Sequence, residues 1–125
     1  MADLAHSESK TEDFYTRVGK LKWSPEEKSI ARKAFNLALD RELDPIMGKA
    51  RKMATKIKEQ SDLWDLEVYL TQRRKEIDRK YDFRYSVLPQ VFGTLIREGH
   101  LSEKDLHGLR DDKLECIRSW AKFSV

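Results

Sequence analysis

"WSPEEKSIARKAFNLALDRELDPIMGKARKMATKIKEQ", residues 23–60, decides the fold. It opens as a helix start: Ser24 stands at the N-cap, Pro25 takes the first helical position, and Glu27 follows three residues after the cap. The serine hydroxyl can accept from the Glu27 amide while the glutamate reaches back to the cap amide, and proline loses nothing where an amide is unpaired anyway. The apolar positions then run Ala31, Ala34, Phe35, Ala38, Leu39, Leu43, Ile46, Met47, Ala50, Met53, Ala54 and Ile57. Three- and four-residue spacing held over about seven turns predicts a long helix with one apolar stripe. Pro45 interrupts it, either kinking one helix or restarting a second behind Asp44. The stripe keeps its register across the proline, which favours the kink.

Working outward, "SDLWDLEVYLTQRRKEIDRKYD", residues 61–82, predicts a second long helix starting at Ser61 or Asp62. Leu63, Leu66, Leu70, Ile77 and Tyr81 share one side, and the stripe lapses at Arg73 and Arg74. Asp82 is the junction to "FRYSVLPQVFGTLIREG", residues 83–99, where Val87, Leu88, Val91, Phe92, Leu95 and Ile96 form a compact apolar face and Gly99 supplies the stop. Ser102 with Asp105 starts a short helix, and Asp111 or Asp112 caps a last one that turns Leu114, Ile117 and Ala121 inward. Residues 1–22 carry mixed charges with little periodicity and read as a flexible extension, except that Phe14, Tyr15 and Val18 could form a docked turn. The expectation is all-α: an extension over 1–22 and one helical domain over 23–125. That domain has long helices over 24–59 and 61–81 and a compact helical head over 83–121.

Composition sets bounds on this reading. A chain of 125 residues makes one domain, and 39% hydrophobic with 38% charged residues favours long solvated helices. Elongated helices cannot cover both faces within one small chain, so a homodimer is expected. The net charge of +3 is too balanced for a dedicated nucleic-acid protein. Cys116 is the single cysteine, so an intramolecular disulfide is excluded and a reducing, cytoplasmic setting is expected. No apolar run reaches membrane-spanning length.

Chemistry-bearing patterns are absent from the sequence. His6, His100 and His107 are not paired at metal-ligand spacing, Cys116 has no histidine near it, and no glycine-rich phosphate loop occurs. No catalytic residue, metal or cofactor is therefore expected. The basic run Arg73, Arg74, Lys75, Arg79 and Lys80 is interleaved with Glu76 and Asp78 at helical pairing distance. That pattern describes a self-paired solvated face better than a phosphate tracker, leaving a helical nucleic-acid binder as the weakest reading. Trp64 lies beside the leucine stripe, and its flank continues through Glu67, Val68 and Thr71 to Arg74, Lys75 and Asp78. Trp and Arg are the types that most often anchor interfaces, although a tryptophan can equally cap a core edge.

Taken in order, "WS…E…A…AF…A…RELD", "DLW-L…L…R-EID-KYD-R-SV", "VF…L…EG" and "DK…I" resemble the fluorescence recovery protein family of cyanobacterial photoprotection, from about Trp23 to Ile117. The resemblance implies a small all-helical homodimer with long helices and a C-terminal head. It implies a partner, the photoactivated orange carotenoid protein, whose return to the resting orange state members accelerate, ending non-photochemical quenching at the phycobilisome. It implies no catalytic residue and no prosthetic group. Trp64 and Arg74 match the family's interface patch, with Glu67, Val68 and Asp78 beside them; Leu63 matches a position at the dimer contact, and Leu66 and Leu70 on the same stripe are expected to join it. The chain departs from the family pattern where Val68 replaces an acid and Glu67 a frequent histidine, at Pro89 and Gln90, and at Cys116, which aligns with a lysine. The same dimer serving a different protein partner is the alternative that these departures imply.

Overall fold

A computed structural model describes residues 14–123. Its elements are α1 (14–20), α2 (Pro25–Thr55), α3 (Gln60–Lys80), α4 (Leu88–Arg97), a 3-10 turn (Glu103–Leu106) and α5 (Asp111–Ala121). Among the described residues there is no strand, so the all-α expectation holds.

The start of α2 is the expected capping box. Ser24 Oγ accepts the Glu27 amide and Glu27 Oε1 accepts the Ser24 amide, both at 3.1 Å. The helix then continues unbroken through Pro45 for 31 residues, so the restart at Asp44 does not occur. Four residues connect it to α3, which begins one residue ahead of the expected Ser61. Glu59 is the cap, and the Asp62 carboxylate accepts the amides of Lys58 and Glu59 at 3.0 and 3.1 Å. Helix α3 returns antiparallel to α2. Lys80 at its end bonds Glu42, while Tyr69 one half-length back lies under the Lys49 ammonium at 4.6 Å. The pair forms a hairpin arm.

The core sits at the other end. Ala31, Ala34, Phe35 and Ala38 of α2 meet Leu88, Val91, Phe92 and Leu95 of α4, with Leu101, Leu106, Leu109 and Ile117 completing the cluster. Helices α4 and α5 pack closely because Gly93 has no side chain: a Cβ there would lie 2.8 Å from both the Ile117 carbonyl oxygen and Trp120 Cβ. Gly99 stops α4 as expected, with φ 84°. A buried ion pair clasps α2 to α5. Lys113 Nζ lies 3.0 Å from Glu27 Oε1, and each residue is 1% exposed.

One expectation is corrected. Residues 14–20 do not belong to a flexible extension: they form α1, and Phe14 and Val18 are buried against Cys116. Two apolar residues four apart lie on one helix face, which suffices once α5 supplies a surface. Residues 1–13, also assigned to that extension, lie outside the described residues.

Candidate functional site on the hairpin arm

Burial divides the molecule sharply. The head and the first half of α2 hold the core, whereas α3 contributes no buried residue and α2 none beyond Ala38. The apolar side chains of the arm are consequently open. Trp64 is 60% exposed, Val68 49%, Leu63 45% and Leu70 43%, and Met47 on α2 is exposed as well. Trp64 therefore does not cap the core edge. Leu66 is half-buried. Beside it, Leu43, Ile46, Leu70 and Ile77 line an apolar groove of about 270 Å³, with Arg73 and Arg74 along it.

The polar members of the predicted patch pair with one another. Thr71 Oγ1 donates to Glu67 Oε1 at 3.2 Å, and Arg74 Nε lies 3.7 Å from Asp78. Along one helix, Trp64 and Val68 stand one turn apart, and Glu67, Arg74 and Asp78 follow on the neighbouring flank. The patch is thus an apolar anchor bordered by fixed charges, not an acid–base constellation.

The basic run is largely neutralised. Arg73 pairs with Glu76 at 2.8 Å, Arg74 with Asp78, and Lys80 with Glu42 and Glu98. Among the described residues, Lys75 and Arg79 alone of the five make no ion pair. A duplex would find few free cations there.

Sequence reasoning missed a second constellation, where the arm meets the head. Lys80 Nζ bridges Glu42 and Glu98, Tyr81 Oη donates to Glu42 at 2.8 Å, and His100 Nε2 lies 3.3 Å from Glu42 and 3.6 Å from Glu98. Burial alone would lower the Lys80 pKa, but the hydrogen bonds its ammonium donates to the two carboxylates hold it above its ordinary value. Burial and the Glu42 bond together push the Tyr81 phenol far up. Glu42, Glu98 and His100 offer metal-type donors, yet the ammonium already lies between the two carboxylates. The cluster ties α2 to the ends of α3 and α4. Its members are up to 58 positions apart in sequence, from Glu42 to His100, and no local spacing signals the contact.

With the arm exposed and the charges placed, the comparisons with known proteins acquire a structural meaning. Residues 23–121 match the family described as photoprotection regulator fluorescence recovery protein. The chain belongs to the fluorescence recovery protein family. The fluorescence recovery protein of Synechocystis sp. (strain ATCC 27184 / PCC 6803 / Kazusa) is 38% identical over 101 residues, which are 81% of this chain and 93% of that one. The solved structure of the Fremyella diplosiphon fluorescence recovery protein superposes with a TM-score of 0.75 at 42% identity, covering 82% of this chain and 100% of that one. The Synechocystis structure gives the same TM-score at 37% identity and the same coverage. The fluorescence recovery protein region includes the whole arm, the ionic junction and α4 to α5, and it begins after α1. Among the described residues, no helix is long and apolar enough to cross a membrane.

Proposed function

We propose that the chain is a homodimeric, non-enzymatic regulator that binds photoactivated orange carotenoid protein and accelerates its return to the resting state. The observation that supports this reading is the arm itself: no residue of α3 is fully buried, and its largest side chain, Trp64, stands in solvent. Open apolar surface of this kind marks an interaction site. Leu63, Leu66 and Leu70 join α3 to a second copy, aided by a bend at Pro45 that wraps each α2 around the pair. Trp64, Glu67, Val68, Arg74 and Asp78 then receive the carotenoid protein.

Binding alone supplies the mechanism. A regulator that holds the conformer passed through during relaxation more tightly than the active one lowers the barrier back to rest, by no more than the difference between the two affinities. Trp64 provides the buried anchor, while Arg74 and Asp78 fix register at the rim. Val68 makes this patch more apolar than one carrying an acid, and Glu67, hydrogen-bonded to Thr71, supplies the negative charge from the neighbouring flank.

The test is the red-to-orange relaxation of photoactivated orange carotenoid protein, followed by absorbance with and without this chain. Acceleration that saturates with concentration supports the proposal. Unchanged relaxation, with no complex on a sizing column, would move the function to another protein partner of the same dimer, the reading favoured by Val68. Binding to duplex DNA with a steep salt dependence would replace both.

A further inference from the structure

Helix α1 is fastened unlike the other elements. Phe14 and Val18 close over Cys116, with Leu21 and Trp120 at the rim, in a cluster separate from the main core. The Phe14 ring lies 5.4 Å from that of Trp120 and 6.1 Å from that of Phe123. Around these two buried side chains, every other residue of 14–20 is exposed. Gly19 stands in open space within the helix, where it weakens helicity without serving any close approach. A helix of about two turns does not persist without a surface to hold it. The segment also precedes residue 23, where the family region begins, so it is an addition to a fold described without it.

What α1 covers has consequences beyond its own cluster. Trp120, supported from one side by Phe14, donates Nε1–H to Thr94 Oγ1 at 3.0 Å and walls a cleft of about 580 Å³ between arm and head. We propose that α1 is a latch which opens independently of the rest of the fold, and that the α5 surface beneath it is a docking site for a short amphipathic helix. The occupant is α1 in the closed state. The proposal stands whether or not orange carotenoid protein is the partner.

Cys116, the single cysteine, reports on the latch directly. Closed, it is 2% exposed, and burial pushes its thiol above the ordinary range, so an aromatic disulfide reagent reaches it only after opening. Labelling of the full-length protein under native conditions should exceed, by about a hundredfold or more, the rate allowed by global unfolding measured on the same sample. Phe14→Ala should raise it a further tenfold or so while leaving the main melting transition in place. A peptide spanning residues 14–22, added at roughly millimolar concentration to the Phe14→Ala protein, should slow labelling again by occupying the site in trans. Labelling at the global-unfolding rate in both proteins would overturn the latch. So would a melting loss in Phe14→Ala as large as that of a main-core change such as Leu95→Ala. Failure of the peptide to protect Cys116 would overturn the docking site.

Discussion

Replacing Lys113 with methionine tests how α5 is clasped to the start of α2. The ammonium lies 3.0 Å from Glu27 Oε1 and 5.7 Å from the centre of the Trp23 ring, fully enclosed. Methionine fills similar space without charge, so Glu27 is left as a buried carboxylate. It retains the Ser24 amide at 3.1 Å and the Arg110 amide at 3.0 Å. Breaking one side of a buried pair costs about 3–5 kcal/mol, and these two remaining donors place Lys113→Met near the lower end. For a chain of this size that is a fall in melting temperature of about 10–15 °C. Glu27→Gln should cost less, about 2 kcal/mol, because the half-exposed Asp112 carboxylate at 3.2 Å still serves the ammonium. The double variant should recover part of the loss, giving a coupling energy of about 2 kcal/mol.

The pH dependence carries a sign that checks the same account. Burial alone raises the Glu27 pKa, but the Arg110 and Ser24 amides and the Lys113 ammonium together bring it below its ordinary 4.5. A depressed carboxylate stabilises the fold above its ordinary pKa and loses that contribution as pH falls through the folded value. In Lys113→Met the opposing ammonium is gone and the carboxyl protonates more readily. The stability gap from wild type should be widest near neutrality and narrow toward acid. Urea unfolding followed by far-UV circular dichroism at a series of pH values measures it. A cost below about 1 kcal/mol, or a gap that stays constant into acid, would refute the buried pair.

Three further outcomes follow from the packing. Gly93→Ala forces a Cβ to within 2.8 Å of the Ile117 carbonyl and Trp120 Cβ, so the urea midpoint should fall by the equivalent of about 1–3 kcal/mol; an unchanged midpoint would mean that α4 and α5 slide apart freely. Leu63→Glu should move the particle to monomer mass in size-exclusion chromatography with light scattering, and a mass unaffected by the charge would put self-association elsewhere. Trp64→Ala should leave helicity intact, given the ring's exposure, while weakening carotenoid-protein binding; melting of α3 instead would return the ring to a structural role.

What the sequence made legible was local. Ser24, Pro25 and Glu27 announced the start of α2, Gly99 the end of α4, and Ser102 with Asp105 the 3-10 turn, because each signal lies within one helical turn of its effect. The last helix starts at Asp111, with Arg110 as its cap, since an acid in the first turn and an acid at the cap favour the same neighbourhood. Glu59 as the cap of α3 was hidden for the complementary reason: Asp62 reaches backward to the loop amides and makes the cap position permissive. Long-range pairings left no local trace. Glu27 reads as a capping residue, and nothing near it points to Lys113 or to the Arg110 amide 83 positions away. Phe14, Tyr15 and Val18 stood out only as residues of a docked turn within an extension, and their weight depended on Cys116 and Trp120 at the other end of the chain. The exposed patch around Trp64 lay between these cases. Its residues were legible, whereas their openness is a property of how little of α3 the head can cover.

The meeting of α1 with the end of α5 also alters how the polypeptide can be rewired. With the Phe14 and Phe123 rings 6.1 Å apart, the described chain runs from the head, out along α2, back along α3, and closes on itself at the starting point. It is nearly a ring with one seam, and its farthest bend is the four-residue connection at 56–59. A short peptide bridging residues 14 and 123, with new termini cut at that bend, would give a circular permutant that keeps every described helix whole. Pulling on residues 14 and 123 would load the aromatic seam first, whereas pulling on the permutant's termini would shear α2 from α3. The same chemistry would thus present two mechanically different proteins.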